Sequence, residues 1–459
     1  MRRQSLGRIR SSRSKRSFVF YLVPLVLLLA AVAALFFLHE REMPQINLLT
    51  DVGLIGSRQE ISIEITDARS GISHTEVLLR QSGRETKLAG HDFERKGYLV
   101  LSAGPDRVDE NVLLDSSLLH LVDGSAELVV VARDFSFWNF LRGNETRRIF
   151  PFILDTTPPK IIRQNSPQYI KPGGCGFVTY QTTEPPGRHG VIVNGNFHPG
   201  FPLAEKGETF FGAMIGLPWN TKKIDDAHVL AEDGAGNIGM APFGMILRKV
   251  KYKRDKLNIT DGFLSLKIPE FSQYYPEMSG SPLDKYLFLN NDVRRANNKN
   301  FKEVCSVSVP ERLWDGSFLR MAKSSNRAGF ADQRTYFYQG KKIDEQVHLG
   351  IDLASVRHAD IQAANSGRVV FTDYVGIYGN TVIVDHGQGV FSLYSHMSRI
   401  KVVKDDVVEK GDLLGSSGTS GMTGGDHLHF SMLINGIFVD PLEWWDGSWL
   451  EINILSYLR

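Results

Sequence analysis

The run GDHLHFSML, residues Gly425 to Leu433, sets His427 and His429 one residue apart in an apolar stretch. In a β-strand successive side chains point to opposite faces, so both imidazoles share one face while Leu428 and Phe430 share the other. Upstream, VHLGIDLAS (Val347–Ser355) follows the same alternation. As a strand it puts His348, Gly350 and Asp352 on one face, and Gly350, lacking a side chain, leaves room between an imidazole and a carboxylate. A third stretch, YGNTVIVDHGQGVFSLYSHMS (Tyr378–Ser398), reads as two alternating strands about the turn HGQG. There His396 shares a face with Tyr394, and His386 is a loop residue at the turn. Six of the thirteen histidines follow Val347, in about a quarter of the chain. A His-x-x-x-Asp, a strand histidine and a His-x-His together make a donor set that suits zinc, whose catalytic sites take three protein ligands and keep a fourth position for water. The Gly/Ser loop that leads into the last of them, LLGSSGTSGMTGG, lacks the Lys-Ser/Thr ending of a phosphate-binding loop.

The elements that must position these residues occupy only the last part of 459 residues, a length that implies several domains. The formal net charge is +2, yet residues 1–16 hold seven Lys or Arg and no acid. That cluster speaks for location, not for nucleic acid, and no nucleic-acid partner is expected. Behind it, Phe18–Leu38 runs for twenty-one residues without a charge, long enough at ~1.5 Å per residue to cross a ~30 Å hydrocarbon core. A cleaved leader would end its apolar stretch after roughly 7–15 residues. The run continues through Phe36-Phe37, so it reads as an uncleaved transmembrane anchor with the basic tail, residues 1–17, in the cytoplasm.

Beyond the anchor the expected fold is mainly β. Residues 42–158 carry short alternating strands such as QEISIEITD and AELVVVARD, the pattern of a β-sandwich. The stiff LDTTPPK marks a boundary, and residues 159–250 form a second such module. Both end in related turns, VVARDFSFWN and VLAEDGAGN, which resemble the closing strands of bacterial immunoglobulin-like modules. Asp134 and Asp233 read there as turn-forming residues, with cation binding as the alternative. Residues 251–328 are a linker with a small helical insert, Ser281 as N-cap and Pro282 at the first helical position, a candidate lid or spacer. Cys175 and Cys305 are in no metal-ligand spacing, and one disulfide or two free thiols are equally compatible with it.

HLGIDLA, YGNTVIVDHG, LYSHMS, VEKGDLLGSSGTSG and HLHF, in that order, resemble the zinc endopeptidases of the lysostaphin and LytM type, family M23. The resemblance covers about Arg334 to Trp445, within a domain taken as residues 329–459. It implies an antiparallel β-fold, Zn2+ as cofactor with His348, Asp352 and His429 as metal ligands, and His396 and His427 as catalytic residues. It also implies peptidoglycan peptides as substrate, with action from the outer face of a bacterial inner membrane into the periplasm; the β-modules are expected either as a stalk or docking arm or as the surface that binds cell-wall or divisome proteins. No His-Glu-x-x-His motif supplies a glutamate base, so a histidine, with an unperturbed pKa of ~6.5, takes the proton. The alternative within the family is a non-enzymatic regulator that activates another wall hydrolase. Two departures stand out: Ser431 replaces a common Glu after His-Leu-His-Phe, and Asp426 replaces a Pro before it.

Overall fold

The computed structural model describes residues 15–38, 40–98, 100 and 102–458. The basic tail up to residue 14 therefore lies outside the described residues. A helix runs Lys15–Leu38 with Pro24 inside it, and its described side chains, residues 20–33, are apolar and exposed. Among the described residues no helix is long and apolar enough to cross a membrane.

The chain divides into two compact units, residues 1–157 with 234–237, and residues 158–233 with 238–459. The first is a β-sandwich. A three-stranded antiparallel sheet containing Arg58–Thr66 and a five-stranded sheet built around Ile72–Gln81 and Gly124–Asp134 enclose one core, with Ile61, Ile63, Ile65, Val77, Leu79, Leu128 and Val130 buried within it. Strict alternation in QEISIEITD produces this, because only every second residue reaches the core. Asp134 closes a turn: its Oδ1 accepts the backbone N–H groups of Ser136 and Asn144 at 3.0 and 2.7 Å.

The second unit opens with another sandwich. Two four-stranded sheets share a core that includes Val178, Tyr180, Val191, Ala213 and Val229. Cys175 and Cys305 are both free and buried, which resolves the thiol question. Burial raises the Cys175 thiol well above its ordinary pKa, helped by Glu443, to whose Oε2 it lies at 3.3 Å.

The remainder is built on one large sheet. The strands that matter are β1 (Arg254–Ile259), β2 (Ser325–Ala328), β3 (Gln333–Tyr338), β4 (Lys341–Val347), β5 (Ile351–Ala354), β6 (Gly367–Val375), β7 (Gly379–Asp385), β8 (Val390–Met397), β9 (Val407–Val408) and β10 (Leu428–Ile434). The large sheet runs β2-β5-β10-β8-β7-β6-β9, with β1-β3-β4 as a separate three-stranded sheet. Strands β7, β8 and β10 are buried along nearly their whole length, which is why VFSLYSHM and LHFSMLI are apolar runs interrupted only by residues with a task.

The insert, expected as a lid or spacer, is packed into the core of the carboxy-terminal domain. Its strand β1 pairs in parallel with β3, Arg254 opposite Gln333. Its helices α1 (Asp261–Ser272), α2 (Pro282–Phe288) and α3 (Arg294–Val304) bury Leu264, Phe271, Tyr286 and Phe301 in the same core as Ile377, Tyr378 and Phe438. Ser281 caps α2 as its sequence implies, in a reciprocal capping box with Asp284. Phe301 packs edge-on against Tyr378, ring centroids 4.9 Å apart. The insert is thus a structural wall of the carboxy-terminal domain, held by core packing and by a β-ladder. Phe301→Ala should lower unfolding free energy by about 3–5 kcal/mol, as for other fully buried aromatic truncations. A chain begun at Gly329 should lose cooperative unfolding. Urea titration of both checks this, and a truncated chain as stable as the intact one would mean that the insert is dispensable.

Candidate metal and catalytic centre

Strand β10 places His429 directly opposite Asp352 of β5. Residues opposite each other on antiparallel strands present side chains on the same face, so the pair converges without any loop. His348 lies just outside the strands, between β4 and β5, which corrects the reading of Val347–Ser355 as one continuous strand. Its ring nevertheless reaches the same point. His348 Nε2 is 2.8 Å from Asp352 Oδ1 and 2.9 Å from His429 Nδ1, and His429 Nδ1 is 3.0 Å from Asp352 Oδ1. All three side chains are buried. Together they form a group able to hold a metal ion.

The outer nitrogens decide what that group can bind. His348 Nδ1 lies 2.8 Å from the Gly329 carbonyl, which can only accept, so the proton is on Nδ1 and Nε2 carries a lone pair. Ser431 Oγ donates to the Leu349 carbonyl at 2.9 Å and lies 3.0 Å from His429 Nε2. With its own proton committed, Ser431 accepts from Nε2–H, leaving Nδ1 of His429 as a lone pair. When both rings are neutral, two nitrogen lone pairs and a carboxylate oxygen therefore meet within hydrogen-bond distance. Such a donor set could hold a cation, and imidazole, imidazole, carboxylate is a zinc-type set. Asp352 is divided in the same way: Oδ1 faces the histidines, while Oδ2 takes a hydrogen bond of 3.0 Å from Arg334. Burial alone would raise this carboxyl, but His348, His427 and His429 outweigh it and hold Asp352 well below the ordinary carboxylate range.

Gly350 has a different reason from the one alternation gives it. A Cβ there would lie 2.5 Å from Ser431 Oγ and 2.6 Å from His429 Nε2. The space it clears belongs to the His429–Ser431 hydrogen bond. Ser431 is the functional residue that sequence reasoning undervalued; its place two residues after His429 on the same strand face was the available signal.

His396 departs from the alternation outright. Strict period two puts it on the Tyr394 face, but Tyr394 packs against Phe430 and bonds to the Ala364 amide inside the core. His396 instead lies with its ring centroid 4.9 Å from that of His427 and 5.8 Å from that of His429. The reason is a positive φ of 62° at His396, next to a register shift in the β7–β8 pairing, which turns the side chain to the other face. A non-glycine residue in that region is strained, and the fold holds it there. Its Nδ1 donates to Ser420 O at 2.8 Å, leaving Nε2 free to accept a proton. His427 repeats the pattern: Nδ1 lies 2.8 Å from Gly425 O, and Nε2 faces Asp352 Oδ1 at 3.5 Å. Burial, with His427 and His429 nearby, pushes His396 well below its usual pKa. Burial also depresses His427, but Asp352 more than compensates and raises it. His429 is pushed down to about 4, chiefly by burial.

His386, read as a loop residue, is fully buried, with Ser366 O and Ser392 Oγ each 2.7 Å from its two nitrogens. It is a packing residue outside the site. The Gly/Ser loop positions His396 through Ser420, and α1 grips that loop: Lys267 Nζ donates to Thr419 O at 2.6 Å and Glu270 Oε1 accepts Gly421 N–H at 2.5 Å. Asp426 ties the loop to its neighbour, accepting from Ser417 Oγ at 2.5 Å and from the His358 amide at 3.1 Å.

Residues 346–441 match the sequence profile described as Peptidase family M23. Over 98 residues the chain is 35% identical to the DD-carboxypeptidase/endopeptidase Mpg of Neisseria meningitidis serogroup B, covering 21% of this chain and 23% of that protein. Over 96 residues it is 34% identical to the peptidoglycan DD-endopeptidase ShyA of Vibrio cholerae, covering 21% and 22% respectively. The chain thus spans under a quarter of the length of these curated relatives. Among solved structures, a putative M23 peptidase from Pseudomonas aeruginosa is 20% identical with a TM-score of 0.38, covering 60% of this chain and 95% of that one.

Ser431→Ala removes the acceptor that fixes the His429 tautomer. Metal affinity should fall by about 10–100-fold, the usual effect of losing such an outer partner, with the unfolding midpoint little changed. Competition against a chromogenic zinc chelator measures it, and unaltered affinity would remove Ser431 from the site.

Proposed function

With residues 346–441 a domain of peptidase family M23, we propose that this chain is a zinc-dependent endopeptidase that hydrolyses the peptide cross-links or stem peptides of bacterial peptidoglycan. The observation that carries the reading is the convergence of four imidazoles on Asp352, each with its other nitrogen held by a hydrogen-bond partner of its own.

His348 Nε2, Asp352 Oδ1 and His429 Nδ1 hold the metal in this proposal. When bound, zinc polarises a carbonyl and lowers the pKa of a water molecule towards ~7. The remaining work falls to the protein. His396 and His427 take and return the proton at their Nε2 atoms, each ring fixed by a backbone carbonyl at Nδ1, and the buried surroundings keep bulk water from competing. Arg334 holds Asp352 by Oδ2, so that Oδ1 alone turns inward. The regulator alternative expects a decayed site, whereas all five positions are filled and each is braced by a partner of its own.

The uncharged run Phe18–Leu38 behind a basic flank supports a single-pass anchor in the bacterial inner membrane, with the domains that follow in the periplasm. In this arrangement the sandwich modules carry the domain to the wall or meet protein partners.

Cross-linked peptidoglycan digested with the intact chain should lose dimeric muropeptides, read by mass. His429→Ala and a chelated control should both be inert and metal-free. His396→Ala and His427→Ala should each retain zinc yet lose about 10²-fold or more in turnover. A zinc-loaded protein that leaves every cross-link intact would refute the endopeptidase reading.

A further inference from the structure

The cleft in front of the centre, about 500 Å³, is lined on one side by the insert, through Leu257, Ile259, Phe263, Tyr286 and Arg294. The family match begins only at residue 346, so this wall comes from outside it. Arg294 is held in an unusual way. Its Nε and Nη2 donate to the carbonyl and to Oδ1 of Asn290 at 3.1 and 2.6 Å, and Asn290, itself fully buried, is pinned by Asp344 at 2.7 Å. One edge of the guanidinium is therefore fixed on its own helix, while three of its five N–H groups remain uncommitted.

Asp344, bonded to Asn290, makes no ion pair with Arg294. Among the described residues, Arg294 and Arg327, which also lines the cleft, have no carboxylate partner. The acids that line the cleft already have partners: Asp352 pairs with Arg334, and Asp255 pairs with Lys253 at 2.9 Å. A half-buried, immobilised and unpaired guanidinium beside apolar side chains is built to receive a planar anion. Arg294 lines the same cleft as His348, His396, His427 and His429, and Tyr378, whose hydroxyl donates to Asn298 of the same helix, packs its ring 5.4 Å from that of His429.

We propose that Arg294 forms a carboxylate subsite for the substrate peptide, with the apolar wall beside it taking the aliphatic part of the same residue. This rests on the endopeptidase reading for its substrate class and extends it, since it names the feature by which peptides are told apart. The carboxylate belongs either to the end of the peptide main chain or to a side chain, and the fork geometry serves both.

The test uses the full chain in detergent and synthetic cross-linked peptides in three forms: all carboxylates free, the terminal one amidated, and the side-chain ones amidated. Binding is measured calorimetrically on metal-stripped protein, and cleavage on zinc-loaded protein. Arg294→Gln should weaken binding of the free peptide by about 10–100-fold, the effect of losing a charge-assisted hydrogen bond. It should leave binding of the correctly amidated peptide unchanged, and the amide that abolishes the difference identifies the carboxylate. Arg294→Lys, which keeps the charge without the fork, should fall between. An equal loss on every peptide would reduce Arg294 to a packing residue, and no loss on any would remove the subsite; either overturns the proposal. Failure of the zinc-loaded protein to cut any peptide would overturn the endopeptidase reading, while the binding arms still decide the subsite.

Discussion

Everything at the centre depends on one constraint: each imidazole has two nitrogens, and here the outer one is already bonded. Gly329 O, Ser420 O, Gly425 O and Ser431 Oγ each take one N–H from His348, His396, His427 and His429. The inner nitrogens are left to face Asp352 and one another, and neutral rings there offer lone pairs that only a proton or a cation can satisfy. Three of those outer partners are backbone carbonyls, so the protonation pattern is set by the course of the chain itself. The Gly/Ser loop supplies two of them, Ser420 O and Gly425 O, and a helix of the insert fixes that loop.

Much of this was legible in the residues. Asp352 and His429 are legible by alternation, and β5 and β10 set them opposite each other in register, whereas His348 and His427 lie just outside those strands and still reach the same point. The two sandwiches follow from strands in which every second residue is apolar. His396 was legible as a residue but not in its direction, because a positive φ is a property of the bulged pairing around it and leaves no trace in a period-two pattern. His386 does lie in the turn between β7 and β8, and its burial there is not legible because one of its partners, Ser366, is distant in sequence.

The insert is the part whose placement the sequence pattern shows least, and the cause is physical. A parallel ladder has no hairpin turn to announce it, and its partner can be far away in sequence. The helices of the insert look detachable when read locally, since α3 is polar over most of its surface; only Phe301 and Asn297 on it are buried. Asn297 accepts the Ile377 amide at 3.1 Å and Asn298 accepts the Tyr378 hydroxyl at 2.9 Å, so polar residues perform a joining task usually credited to apolar ones.

That parallel pairing also sets an order of events when the chain is made. Arg254 waits for Gln333, 79 positions later, and at roughly 5–20 residues per second the interval is several seconds. Throughout it Leu264, Phe271 and Phe301 have no partners from the large sheet, and the sheet in turn cannot close until β10 arrives near the end of the chain. The nascent domain therefore passes through a prolonged sticky stage, the regime in which non-local topologies fold slowly and are exposed to aggregation. A protein with this topology is one whose yield would be governed by what shields it during synthesis as much as by how stable it becomes.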